Sequence, residues 1–228
     1  MAKKIDNTEE KIHAVEEALS KSEQFIEKHQ KTIYIILGAI LVIGFGIYGI
    51  KKLYLEPREN EAQEQMFVAQ RYFESDSLDK ALKGDATFSG FIGIIDEYSR
   101  TKAANLSNYY AGIIYLKQGK FQEAIDYLKK FKSDDEIVGP MAQGALGDAY
   151  LELGNKEEAL SYYEKAASKK DNELTTAMYL MRAGFVCEEL GNFEKAVDLY
   201  TKIKKEHPKS QEAQDIDKYI ERAKGSVK

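Results

Sequence analysis

One pattern returns three times in this 228-residue chain, at intervals of 35 and then 37 residues. Its copies are Ala111-Gly112-x-x-Tyr115…Gly119-x-Phe121-x-x-Ala124, Leu146-Gly147-x-x-Tyr150…Gly154-x-x-x-x-Ala159 and Ala183-Gly184-x-x-Cys187…Gly191-x-Phe193-x-x-Ala196. A fixed period of this length marks a solenoid of supersecondary units, none of which buries its apolar face alone. Gly112, Gly147 and Gly184 fall where one helix must admit its partner closely. Gly119, Gly154 and Gly191 fall at a helix end, where glycine accepts the left-handed conformation. Ala124, Ala159 and Ala196 are the small residues of the second helix, and Leu128, Tyr163 and Tyr200 follow on its buried face. Pro208 closes the third copy.

These residues resemble the tetratricopeptide repeat (TPR), with its Leu-Gly-x-x-Tyr first helix and its Ala-x-x-x-Phe second helix. The departures are the absence of tryptophan, Cys187 in place of tyrosine, and proline only in the third copy. A degenerate earlier copy shows Ala69-x-x-Tyr72 and Leu78-x-x-Ala81, interrupted by the insert Gly84–Gly90 before Phe91–Tyr98. After Pro208, the residues Ala213, Ile216, Tyr219, Ile220 and Ala223 read as one capping helix. The resemblance covers residues 58–224. It implies an all-α solenoid of about four helix-turn-helix units plus a C-terminal capping helix.

Residues 32–50 form a separate feature: nineteen residues without a charge, running from Thr32 to Ile50. A helix of that length spans roughly 28 Å, about the hydrocarbon thickness of a bilayer. Lys28 and Lys31 precede it, Lys51 and Lys52 follow it, and Tyr34, Tyr48 and Tyr54 fall at its ends, as an interfacial aromatic belt would. Lys51-Lys52 in place of a small-residue cleavage site argues against a cleaved signal, and the single cysteine, Cys187, argues against a lipoprotein. The expected domains are an amphipathic segment 1–31, a transmembrane helix 32–50 and a TPR domain 51–228. Gly38, Gly46 and Gly49 offer a packing face for another transmembrane helix. The positive flanks are tied, so charge does not orient the helix. Ile5, Ile12, Leu19, Ile26 and Ile33 recur every seven residues, which fits a surface helix or a coiled-coil seam. Only Glu56-Pro57 stands as a breaker before the repeats.

The net charge is −5. Residues 1–31 hold six basic and seven acidic side chains, which leaves −4 for the part after the apolar run. That balance argues against a nucleic-acid partner. His13, His29 and His207 are scattered, no metal-ligand spacing occurs, and no nucleophile–base arrangement or phosphate loop is present. The expectation is therefore not an enzyme, with no cofactor, no metal and no small-molecule substrate. Cys187 occupies a core position of its repeat.

The TPR resemblance implies a groove along the first helices of the units. Its wall would be Leu106, Tyr109 and Ile113, then Met141, Gly144, Asp148 and Leu151, then Met178, Met181 and Phe185. Methionine and aromatic side chains suit an adaptable apolar groove for polypeptide. Should Met178, Met181 and Phe185 be core residues instead, the binding surface falls on the convex face or the insert around Phe88–Phe91. The whole arrangement (short tail, one anchor, then an acidic TPR domain) is similar to YfgM-type ancillary subunits of the bacterial SecYEG translocon and to TPR membrane proteins of Bacteroidota. That resemblance implies a single-pass inner-membrane protein with a cytoplasmic N-terminus and a periplasmic TPR domain. Its partners would be the translocon, periplasmic chaperones and unfolded clients. A scaffold subunit of another envelope complex, or a cytoplasm-facing TPR adaptor, fits the same residues.

Overall fold

The computed structural model describes residues 28–227, and among them every regular element is helical. The chain divides into two compact units, the first ending at Pro57 and the second starting at Arg58. The heptad pattern that begins at Ile5 and the segment 1–27 lie outside the described residues.

In the first unit residues 28–50 form α1, followed by a π turn, Lys51–Leu55, and the start of α2, Glu56–Glu74. Every large apolar side chain from Tyr34 to Ile50 is more than half exposed, with Phe45 at 74%. Such a belt is what a lipid-facing helix presents and what a soluble core helix hides. Gly38, Gly46 and Gly49 meet nothing within 4 Å. Pro57, expected as a break, instead lies in the first turn of α2. Just before it, the Glu56 N–H bonds five residues back to the Lys51 carbonyl. A proline has no N–H to donate, and the wider turn accommodates it near a helix start.

The second unit is a run of helix pairs. Its first pair is α2 with a second helix broken in two, α3 (Leu78–Lys83) and α4 (Gly90–Glu97). The intervening loop folds back on itself: Gly84 (φ 74°) and Gly90 (φ 61°) lie so close that a Cβ on Gly90 would stand 2.2 Å from the Gly84 nitrogen. Phe88 from this loop stacks on Tyr72 at 5.0 Å. Phe88 and Phe91 are both buried, so the insert does not present them as the alternative binding surface. Its aromatic rings are spent inside the first core.

Three regular pairs follow: α5 (Lys102–Lys117) with α6 (Phe121–Leu128), α7 (Val138–Glu152) with α8 (Lys156–Lys169), and α9 (Thr176–Glu189) with α10 (Phe193–Glu206). The cap is α11, Ile216–Ser226. Thr101 caps α5 by accepting a hydrogen bond from the Ala104 N–H at 3.0 Å. The α2 carboxylate of Glu59 accepts from the Lys102 and Ala103 N–H groups of the same terminus, at 2.6 and 3.2 Å. An acid at a helix N-terminus satisfies donors that the helix itself leaves open. This acid arrives from another helix and ties the irregular first pair to the regular ones.

The repeat glycines act as notches. A Cβ on Gly112 would stand 2.5 Å from Leu128, on Gly147 2.6 Å from Tyr163, and on Gly184 2.2 Å from Tyr200. In each pair the second helix thus pushes its large side chain into the first, and Ala124, Ala159 and Ala196 are fully buried at the crossings. Gly119, Gly154 and Gly191 turn the chain with φ of 71°, 79° and 75°. Cys187 is buried in the last core, and burial pushes its thiol up to about 11.

Two outcomes follow from this packing. Gly147→Leu overpacks the Tyr163 notch and costs about 1–3 kcal/mol. Gly225→Ala, in open space on α11, leaves the thermal midpoint of the full chain in detergent unchanged or slightly raised. Equal midpoints for both variants would refute the notch. Cys187, largely protonated at pH 8, stays unmodified by iodoacetamide in the native protein and reacts once the chain is unfolded in guanidinium. Rapid native labelling would contradict its burial.

Candidate functional site: the concave groove

The side chains that fill the notches also reach the far side of the first helices. Tyr163, lodged against Gly147, donates its hydroxyl to Asp148 Oδ1 at 2.7 Å. The same oxygen accepts from Arg182 Nη1 on α9, and the Arg182 guanidinium lies 5.7 Å over the Tyr179 ring. One unit further the set recurs. Tyr200, lodged against Gly184, donates to Glu188 Oε1 at 3.1 Å. Arg222 of α11 pairs with Glu188 at 2.7 Å and lies 4.9 Å over Tyr219. Each set joins a phenol, a carboxylate and a guanidinium drawn from the next helix along. Burial first, and then the neighbouring carboxylate, push both phenols above their ordinary range. They are therefore fixed donors at physiological pH.

Between α7, α9 and α11 these sets frame a depression of about 880 Å³. Asp148, Leu151, Arg182, Phe185, Glu188 and Arg222 are among its walls, and Glu189 and Phe193 also line it. Phe185 is held edge-on by Tyr200 and Tyr219 at ring separations of 6.2 and 5.4 Å. The first regular pair has Leu128 where the later pairs have tyrosine, so no hydroxyl crosses its notch.

The residues expected along the groove separate into three groups. Asp148, Leu151 and Phe185 line the depression. Leu106, Tyr109, Ile113 and Met178 are half-buried, and Met141 is exposed on α7. Tyr109 lies against Tyr110 and Phe131, and Met178 packs on the last core. Met181 is itself a core residue, and Gly144 lies under the Tyr179 ring, where a Cβ would stand 2.0 Å from it. Neither Met181 nor Gly144 is a groove surface, because Met181 is enclosed by the last core and Gly144 is covered by the Tyr179 ring. The expected apolar wall also carries two ionic sets that hydrophobic patterning did not reveal. The signal was present in Tyr163 and Tyr200 at the position where the first copy has Leu128. Among the described residues no group of three or more His, Cys, Asp or Glu is placed to hold a metal.

A model of the tetratricopeptide repeat matches residues 109–173 and 145–211, the regular pairs that frame this groove. Over residues 109–211 the chain is similar to tetratricopeptide repeats. Over 118 residues the chain is 30% identical to the uncharacterized protein ycf37 of Guillardia theta, spanning 50% of this chain and 65% of that protein. Over 100 residues it is 31% identical to a TPR repeat-containing protein of Methanocaldococcus jannaschii, spanning 44% of this chain and 17% of that protein. The chain thus covers less than two thirds of either relative's length. Among solved structures, a TPR protein from Parabacteroides merdae aligns with a TM-score of 0.58 at 19% identity, over 73% of this chain and 61% of that one. Nearly identical TPR-like repeats from Podosopora anserina align with a TM-score of 0.56 at 15% identity, over 76% and 89%. At these identities the likeness is one of fold. TPR folds are typically protein-interaction scaffolds rather than enzymes.

The ionic sets bear on the joints between units. Asp148→Ala and Arg182→Met, combined in a double-mutant cycle, give a coupling on the order of 1 kcal/mol at low salt, shrinking as salt rises. Additive losses in urea unfolding of the full chain would show that the pair is idle.

Proposed function

We propose that this chain is a single-pass membrane protein whose TPR domain binds protein partners through the concave groove. The observation that carries the reading is the depression between α7, α9 and α11, where aromatic walls and fixed polar groups converge on a surface wide enough for a polypeptide. Its domains are a segment 1–31, a transmembrane helix 32–50 and the repeat domain 51–228. The exposed apolar belt on α1 supports the anchor. Gly38, Gly46 and Gly49 give that helix a face on which a second transmembrane helix can pack.

The arrangement resembles YfgM-type subunits, and on that ground the chain is placed in the bacterial inner membrane with its N-terminus cytoplasmic and its repeats periplasmic. There it acts as an ancillary subunit of the Sec translocon, meeting emerging clients and periplasmic chaperones. Leu106, Tyr109 and Ile113 of α5, Met141 of α7 and Met178 of α9 extend the groove beyond the depression, which Asp148 and Phe185 line.

A C-terminal alkaline phosphatase fusion is active under this topology, and the matching β-galactosidase fusion is silent. The reverse pattern would make the protein a cytoplasm-facing adaptor. A photo-crosslinker at Met141 captures translocon subunits together with many nascent chains. Capture of one stoichiometric protein would instead identify a scaffold subunit of another envelope complex.

A further inference from the structure

The depression repeats one arrangement, a carboxylate beside an aromatic ring with a guanidinium laid against both. Asp148 and Tyr179 hold Arg182, and Glu188 and Tyr219 hold Arg222. The same depression contains a third carboxylate, Glu189, and two further rings, Phe185 and Phe193. Among the described residues no cation stands over either of those rings. Glu189 has a single partner, Lys156 Nζ at 3.1 Å, and both side chains of that pair are about half exposed. A pair that open to water contributes little and exchanges readily for another cation.

Charge points the same way. The charged lining residues are Asp148, Glu188 and Glu189 against Arg182 and Arg222, one negative charge in excess, and among the described residues only the water-exposed Lys156 offsets it. Residues 51–228 together carry −4. A cationic guest is thus drawn by the domain's field and received by carboxylate and ring in the pocket. Leu151 and Val186, which line the same walls, suit an apolar neighbour of that cation.

We propose that the depression, through its lining residues Phe185, Phe193 and Glu189, receives an arginine or lysine side chain of a partner polypeptide, with an apolar residue next to it. This rests on the concave face being the partner surface and adds the chemistry of what that surface selects. The competing occupant is a carboxylate seated on the unused guanidinium nitrogens of Arg182 and Arg222.

The test uses the full chain in nonionic-detergent micelles and three labelled, unstructured Gly/Ser peptides carrying Leu-Arg-Leu, Leu-Gln-Leu or Leu-Glu-Leu. Fluorescence anisotropy is read against protein-free micelles. The arginine peptide binds about tenfold more tightly than the glutamate peptide at low ionic strength. The difference shrinks near 1 M salt, where the screening length is about 3 Å. Glu189→Lys, at an exposed position that leaves the thermal midpoint unchanged, weakens the arginine peptide about tenfold and leaves the glutamine peptide unaffected. Equal or tighter binding of the glutamate peptide, indifference to Glu189→Lys, or no binding of any peptide each overturns the proposal. Partner capture at Met141 in native membranes is read separately. If it succeeds while the peptides show no preference for arginine, the concave face still binds partners and only the cationic selectivity is lost.

Discussion

The insertion of a large side chain from each second helix into a glycine notch on its partner is the contact on which this domain depends. Without the missing Cβ at Gly112, Gly147 and Gly184, the pairs could not approach closely enough to bury Ala124, Ala159 and Ala196 at their crossings. Interiors packed to this density do not deform smoothly, so the notch sets the spacing of each pair and, through the shared cores, the placement of the next. The last core joins α7 through α11 into one apolar cluster, which lets a single unit influence its neighbours.

The same contact shapes the depression between α7, α9 and α11. Where the inserted residue is leucine, as at Leu128, the notch is purely apolar. Where it is tyrosine, the hydroxyl emerges on the groove side and fixes a carboxylate, and that carboxylate in turn holds an arginine from the following helix. One substitution between repeat copies therefore converts a packing position into the root of a polar set. The depression is ionic toward α11 for this reason, and charged groups that would be costly loose are held satisfied and oriented.

The first pair shows how an irregular unit is tolerated. Its second helix is split by a loop that two glycines of positive φ close upon itself, and the loop's phenylalanine replaces packing that the helix would have supplied. Glu59 then satisfies the opening N–H groups of α5 from across the interface. The defect is offset by contacts that are long-range in sequence, so no local pattern announces the compensation.

The repeat period, the notch glycines, the left-handed turn glycines, the split first pair and the cap were legible in the residues because each is a local requirement on backbone or volume, repeated at fixed spacing. The apolar run from Thr32 to Ile50 was legible for the same reason: a continuous uncharged segment needs no partner to be recognised. What tertiary structure alone decided was which face of each first helix is free. Met181 and Phe185 are four residues apart on α9, yet one is core and the other is wall. Met181 packs among the side chains of the last core, whereas Phe185, one turn further along the same helix, meets Tyr200 and Tyr219 at the wall of the depression. Likewise Glu188 gains its meaning from Arg222, thirty-four residues away and on the capping helix. Spacing within a helix fixes the face a side chain shares with its neighbours, and only the packing of helices determines what that face meets.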